Sequence, residues 1–275
     1  MQISPLSRDR HVLYELSVQG VEYDLDFFER VYRNLRGRRF HTLREDFCGT
    51  AAKACAWVAR GPDHFAWGVD HNARALAWAR RHHLARMGPA ARRVVLVRGD
   101  VRTRRRPRVD VVAAMNFSFW VFKRRDTLLA YFRSVRRSLR PGGLFFANAF
   151  GGTDATGTLV ETRRIAPAQG PDGLRVPSFT YVWEQKRFNP ITHDLLCLIH
   201  YRFRDGTEIR RAFTYDWRLW TLPEMRELMD EAGFARCEVY VEGWDEKHNR
   251  SDEVYRRRVS FENQLGWLAV LVGVA

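Results

Sequence analysis

Four short segments carry small, acidic or amide residues where chemistry could be done: Cys48-Gly49-Thr50, Asp70, Gly99-Asp100 and Asn116-Phe117-Ser118. Each ends an apolar run of strand length. Glycine in the first lets the backbone approach a ligand closely, and a helix starting just after it would aim unpaired N–H groups at the same spot. Asp70 follows Gly49 at about the 20-residue spacing that separates a glycine loop from the acid that accepts the hydroxyls of a ribose. In an open parallel sheet, ligands bind outside the carboxyl ends of the strands, near the point where strand order reverses. The four segments converge if the runs before them lie side by side and parallel.

The surrounding pattern supplies such a sheet. Apolar runs at 42–47, 65–69, 94–97, 109–115 and 144–150 alternate with helix-forming stretches at 51–60, 73–86 and 125–139, punctuated by Gly61-Pro62 and Pro141-Gly142-Gly143. Residues 10–36 read as helix, anchored by Leu13, Leu16, Phe27, Val31 and Leu35 and stopped by Gly37. After Gly151-Gly152 the pattern changes. Residues 153–178 read as loop, and strands at 179–188, 195–203 and 208–215 are separated by the turns Asn189-Pro190 and Asp205-Gly206. This is an antiparallel insertion of about 65 residues. A helix at 222–231 and strands at 237–241 and 267–274 finish the chain. The expected organisation is one domain over 1–275, with a helical cap (1–37), a ligand-binding core (38–150), an antiparallel β insertion or substrate cover (151–217) and a completion of the sheet (218–275).

Composition narrows the partners. The formal charge is +14, and of 46 basic residues only Lys53, Lys123, Lys186 and Lys247 are lysines. Arginine occurs in nearly every segment, including 104–106, 136–137 and 256–258, whereas a nucleic-acid footprint clusters on one face. A general codon bias is the first reading and a polyanionic partner the second. Cys48, Cys55, Cys197 and Cys237 form no C-x-x-C pair and no zinc-ligand spacing, so reduced thiols and no metal are expected. No apolar stretch reaches the roughly 18 residues of a membrane span, and the amino terminus lacks a secretion leader. A cytoplasmic protein without a membrane partner is expected.

The strand-end residues resemble the class I S-adenosylmethionine-dependent methyltransferases. Leu43-Arg44-Glu45-Asp46-Phe47-Cys48-Gly49-Thr50-Ala51 looks like that family's first motif, and is similar to a bacterial subgroup reading L-R-E-D-F-C-G-T. Gly68-Val69-Asp70 resembles the second motif, Gly99-Asp100-Val101 the third, and Leu139-Arg140-Pro141-Gly142-Gly143 the turn before the fifth strand. Residues 222–241 resemble the late helix whose Ala-Gly-Phe turn feeds the sixth strand. The resemblance implies an α/β fold: a mostly parallel, seven-stranded, Rossmann-like sheet with helices on both faces and an antiparallel β insertion after the fifth strand. It implies S-adenosylmethionine as cofactor, with Glu45, Cys48 and Gly49 along the methionine portion, Asp70 on the ribose, and Asp100 and the Val101 amide at the adenine. Asp46, Thr50, His71, Asn116, Phe117 and Ser118 are further cofactor contacts on the same ground.

The first motif departs from the family pattern, in which an acid precedes three alternating glycines. Glu45 fills the acid position and Gly49 the central glycine, while Phe47 and Ala51 replace the outer two. That argues against a dinucleotide dehydrogenase, which needs a complete glycine turn for its pyrophosphate. A sulfonium cofactor has no phosphate and tolerates the change.

On the substrate side, methyl transfer moves a positive charge off sulfur, and aromatic faces stabilise cations by about 0.5–2 kcal/mol each. Phe117, Phe119 and Trp120 are candidate walls for the sulfonium, against the alternative that two of the three are core. Asn116, Tyr14 and Tyr201 are catalytic candidates. Trp120, Phe150 and Trp217 are pocket candidates, joined by His193, His200, Tyr215, Asp216 and Trp244. His200 alternates with hydrophobics and reads as a hydrogen-bonded core histidine rather than a base. No general base stands out, and many methyl transfers need only alignment and desolvation. By resemblance, the lack of Pro-Pro after Asn116 excludes adenine amino methylation, and the lack of a nearby cysteine excludes cytosine carbon-5 methylation. The leading expectation is transfer to an oxygen, nitrogen or carbon of a small molecule. An RNA methyltransferase comes second, and a catalytically silent interaction protein third.

Overall fold

The chain opens with two helices where the apolar pattern suggests one. In the computed structural model, which describes residues 2–103, 107–245 and 250–275, α1 (Arg10–Val18) is capped by Asp9, whose side chain accepts from the His11 and Val12 amides. It ends at Gln19 in extended backbone, and α2 (Val21–Arg36) begins after the exposed Gly20. An extended residue followed by glycine breaks the run of helical bonds expected over 10–36. Gly37, in the left-handed region at φ +67°, stops α2 as expected. The helices fall in different units: residues 21–152 with 220–275 form one, residues 1–20 with 153–219 the other.

In the larger unit strands and helices alternate: β1 (Thr42–Asp46), α3 (Ala52–Ala59), β2 (Phe65–Asp70), α4 (Ala73–His82), β3 (Val94–Arg98), β4 (Val109–Ala114), α5 (Arg125–Ser138) and β5 (Leu139–Gly151). The smaller unit contributes β6 (Leu159–Ile165), β7 (Ala168–Gln169), β8 (Arg175–Val176), β9 (Phe179–Phe188), β10 (Asp194–Phe203) and β11 (Glu208–Arg218). The chain then returns to the larger unit with α6 (Leu222–Glu231), β12 (Arg236–Asp245), β13 (Arg250–Arg258) and β14 (Trp267–Val274).

The large sheet runs β13-β12-β14-β5-β4-β1-β2-β3. Its β5-β4-β1-β2-β3 half is parallel throughout, and β14 lies antiparallel between β5 and β12. Every residue of β1 and β4 is buried, as befits strands covered on both faces. Strand order reverses at β1 and β4, which places the ligand crevice of such sheets at their carboxyl ends. Helices cover both faces. On one, Phe28 of α2 stands 4.4 Å from Phe146; on the other, Phe132 of α5 stands 5.7 Å from Phe145. Each such ring contributes about 1.5–3 kcal/mol by burial.

Two features add to the expected sheet. The eighth strand, β13, pairs antiparallel with β12 at the sheet edge. Its sequence, RSDEVYRRR, hides it from an apolar-period search, and charge on an edge strand discourages pairing with another chain. β5 starts at Leu139, before the expected turn: Leu139 pairs with Val109 and the ladder resumes at Leu144 with Val111, so Pro141-Gly142-Gly143 bulges out within the strand.

The smaller unit holds a four-stranded antiparallel sheet, β11-β10-β9-β6, and the pair β7-β8. β6 to β8 lie in the stretch expected as loop. β6 is an exposed edge, with Glu161 to Arg164 in solvent, and so lacks the apolar alternation that marks a strand. Among the described residues no helix is long and apolar enough to cross a membrane.

Candidate functional site

The loop after β1 is built from residues in the left-handed backbone region: Phe47 (φ +56°), Gly49 (φ +53°) and Ala51 (φ +57°). The two positions where the family pattern has glycine thus keep a glycine-like backbone with side chains present, at a cost of about 1–2 kcal/mol each. The Ala51 amide donates to Cys48 O at 2.7 Å, closing the turn, and Cys48 N donates to Val69 O at 3.1 Å. Gly68 makes room for this approach, since a Cβ there would lie 2.9 Å from Cys48 Sγ. Gly49 N donates to Asp70 Oδ2 at 2.8 Å, and Asn72 N to Asp70 Oδ1 at 2.7 Å. The main-chain oxygen of Asp70 accepts from Gly99 N at 3.0 Å. The first three strand ends are therefore tied together through one aspartate.

Above this floor the site is open. A Cβ on Gly49 would meet nothing within 4 Å, and the buried Thr50 Oγ1 has no hydrogen-bond partner. The Cys48 side chain packs beneath the loop, 1% exposed, with burial raising its thiol well above the ordinary range. It packs against Gly68 and supports the loop.

Alternation along β1 separates its charged residues. Glu45 Oε2 accepts from Ala54 N at 3.0 Å, satisfying one of the free amides of the first turn of α3. Burial pushes Glu45 up to about 7, opposed by Lys53, whose ammonium pairs with Asp24 at 3.1 Å. Asp46 points the other way. Its Oδ2 accepts from Arg44 and from the Tyr131 hydroxyl of α5, each at 2.9 Å. Its carboxylate thus belongs to a network with Arg44 and Tyr131, away from Glu45 by strand parity.

The remaining strand ends behave differently from one another. Asp100 is gripped bidentately by Arg102, which holds its carboxyl below the usual range; Val101 is buried, and the His71 side chain is largely exposed. After β4, Asn116 and Phe117 both sit at φ +56°, and Ser118 Oγ donates to Met115 O at 2.8 Å. Phe117, Trp120 and Phe150 form a ring cluster, with Phe150 4.8 Å from each of the others. Phe119 packs on Phe132 at 6.0 Å and is fully buried, as is Trp120; two of the three candidate walls are core.

Tyr14, Tyr201 and Trp217 lie in the smaller unit. Tyr14 packs on Phe213 at 4.8 Å, and Tyr215 stacks on Trp217 at 4.3 Å. Burial raises the Tyr201 phenol far above its ordinary range, so it keeps its proton at neutral pH. His200 is fully used: Nδ1 accepts from Arg211 N at 3.1 Å, leaving Nε2 to donate to Glu184 at 3.0 Å. It is a structural histidine, as its alternation suggests. The residues at 104–106 and the Trp244 side chain lie outside the described ones. Sequence reasoning missed Lys53, Asp24, Arg102 and Asn148. Of these Asn148 left a signal, as the one polar side chain in the run Leu-Phe-Phe-Ala-Asn-Ala-Phe.

The profile of a methyltransferase domain matches residues 45–143. No curated relative matches the sequence at significant similarity. Among solved structures, DesVI of Streptomyces venezuelae aligns at TM-score 0.67 and 17% identity, covering 100% of this chain and 99% of that one. The sugar N-methyltransferase KedS8 from a Streptoalloteichus species aligns at 0.63 and 18%, covering 100% and 95%. CalS10, an amino pentose methyltransferase from Micromonospora echinaspora whose structure holds S-adenosylmethionine, aligns at 0.63 and 17%, covering 94% and 95%. At these identities the likeness is one of fold.

The site fits S-adenosylmethionine on three observations: open space over Gly49, an unpartnered buried hydroxyl on Thr50, and spare acceptor capacity on Asp70. A carboxylate offers about four lone-pair sites, and the two amides occupy only two.

Proposed function

We propose that this methyltransferase, of the L-R-E-D-F-C-G-T subgroup, uses S-adenosylmethionine to methylate a small molecule, with an amine as the acceptor atom. The reading rests on the hydrogen bond from Gly49 N to Asp70 Oδ2 at 2.8 Å, which joins the glycine loop and the ribose-type acid into one floor. The bound cofactor supplies an electrophilic methyl group on a cationic sulfur. Asp70 would hold the ribose hydroxyls and Thr50 Oγ1 the amino-acid end, while Asp100 would take the adenine. The ring of Phe117 would offer its face to the positive charge.

An amine acceptor needs no strong side-chain base. Tyr201 holds its proton and both nitrogens of His200 are occupied. A neutral amine is nucleophilic once aligned and freed of water. KedS8, a sugar N-methyltransferase with the same fold, supports a nitrogen acceptor, and CalS10, an amino pentose methyltransferase, acts on a substrate that carries an amine. Some arginines are matched locally rather than gathered for a polyanion: Arg60 is paired with Glu22, Asp26 and Glu29, Arg124 with Asp126, and Arg202 and Arg210 with Glu208.

The test is incubation of the protein with metabolite extract and trideuteromethyl-labelled cofactor, followed by mass spectrometry. A product heavier by about 17 Da, a CD3 group replacing a proton, is expected. Label appearing only in RNA would overturn the small-molecule reading.

A further inference from the structure

We infer that Asn148 is a positioning residue that holds the turn after β4 in its strained form. This rests on the reading of that turn as part of the cofactor site. Asn116 and Phe117 are consecutive non-glycine residues in the left-handed region, both at φ +56°. One such residue is uncommon and two in succession persist only where the surroundings over-determine them. The surroundings here are specific. Asn148 lies in the interior of β5, 8% exposed, in a run otherwise apolar. A polar side chain buried there costs stability unless it is hydrogen-bonded, and its Oδ1 accepts from Phe117 N at 3.0 Å.

The strand grips the turn at a second point. Two residues on, and on the same face of β5 by strand alternation, Phe150 meets the Phe117 ring at 4.8 Å and the Trp120 ring at 4.8 Å. The amide of Phe117 and its ring are thus both held from β5. With both in place, the carbonyl and side chain of Asn116 stay fixed at the carboxyl end of β4, beside the switch point of the sheet. Remove the acceptor, and the Phe117 amide loses its hydrogen bond to β5 while the left-handed pair is free to relax to ordinary backbone.

The decisive comparison sets Asn148→Leu, nearly the same size but without an acceptor, against Asn148→Asp, which keeps an acceptor oxygen at the same reach. Two readouts are taken on the full chain: hydrogen exchange of the 115–119 amides, and S-adenosylmethionine affinity by calorimetry. In Asn148→Leu, exchange of the Phe117 amide should accelerate by at least about tenfold while the amides of β4 stay protected. Cofactor affinity should fall about tenfold, with circular dichroism unchanged. Asn148→Asp should restore both. Unchanged exchange and affinity in Asn148→Leu would overturn the positioning role and leave the methyltransferase reading standing. Failure of the unaltered protein to bind the cofactor would remove that reading, and the positioning role with it. Should Asn148→Leu fail to fold, Asn148→Ser, which keeps a hydroxyl too short to reach, replaces it with the same expected losses.

Discussion

The amide of Gly49 points into the carboxylate of Asp70 at 2.8 Å. The bond joins the loop after β1 to the end of β2, so the acid that would hold the cofactor also sets the height of the loop beneath it. The second oxygen is fixed by Asn72 N at 2.7 Å, and Asp70 therefore enters binding already oriented. Preorganisation of this kind lowers the entropy that binding must overcome.

Asp70→Ala should weaken S-adenosylmethionine binding by at least about tenfold, since hydrogen bonds to a charged group are worth about 1.5–3 kcal/mol. Calorimetry measures the affinity and circular dichroism checks that the fold is kept. A variant that binds as tightly as the unaltered protein removes Asp70 from the site.

Glu45 makes the stability pH-dependent. Its folded value of about 7 lies above the ordinary 4.5 because burial penalises the anion. The folded state thus holds the proton more tightly than the unfolded chain. The penalty is absent below about pH 4.5, grows between about 4.5 and 7, and is constant above. Asp24 is raised by burial in the same direction. Glu45→Gln keeps an acceptor for the Ala54 amide and removes the charge, so it should gain about 1–3 kcal/mol at pH 8 and almost nothing at pH 4.5. Urea melts at the two values check this; an equal effect at both sinks the argument.

Ala51 tests the backbone of the loop. Ala51→Gly relieves the strain of φ +57° but adds freedom to the unfolded chain, so stability should change by less than about 1 kcal/mol. Ala51→Val places a β-branched side chain in the left-handed region and should cost at least about 2 kcal/mol. Thermal melts of both variants decide. A Val variant as stable as the Gly variant would mean the loop accommodates ordinary backbone.

These residues also show what could be read in advance. β9 and α6 lie where turn residues and apolar periodicity place them, because burial of one face dictates their pattern, and β14 shows as a continuous apolar run because both its faces are buried. The join of Gly49 to Asp70 was legible for the same reason, as small and acidic residues fall where apolar runs stop. β13 was not, because an edge strand needs no apolar period and its nine residues are mostly charged or polar. The break between α1 and α2 rests on the backbone of Gln19 and Gly20, which a periodicity count passes over. The pairing of Asp46 with Arg44 and Tyr131 was not legible, because spacing alone does not say which side of β1 a residue takes. Phe47 and Ala51 hide a backbone requirement behind side chains that suggest its loss.

Both ring nitrogens of His200 are engaged within its own sheet. Nδ1 accepts the Arg211 amide and Nε2 donates to Glu184, so neither nitrogen is left to take a proton from an acceptor. The bond to Arg211, itself at φ +50°, lies where the β10–β11 register shifts between Ile199 and Tyr201, which gives the histidine a structural task in the irregular ladder. His200→Gln should lower stability by about 1–2 kcal/mol and leave the pH dependence of kcat unchanged once the acceptor is in hand. A pH–rate profile that loses a limb near neutrality in this variant would return His200 to the catalytic machinery.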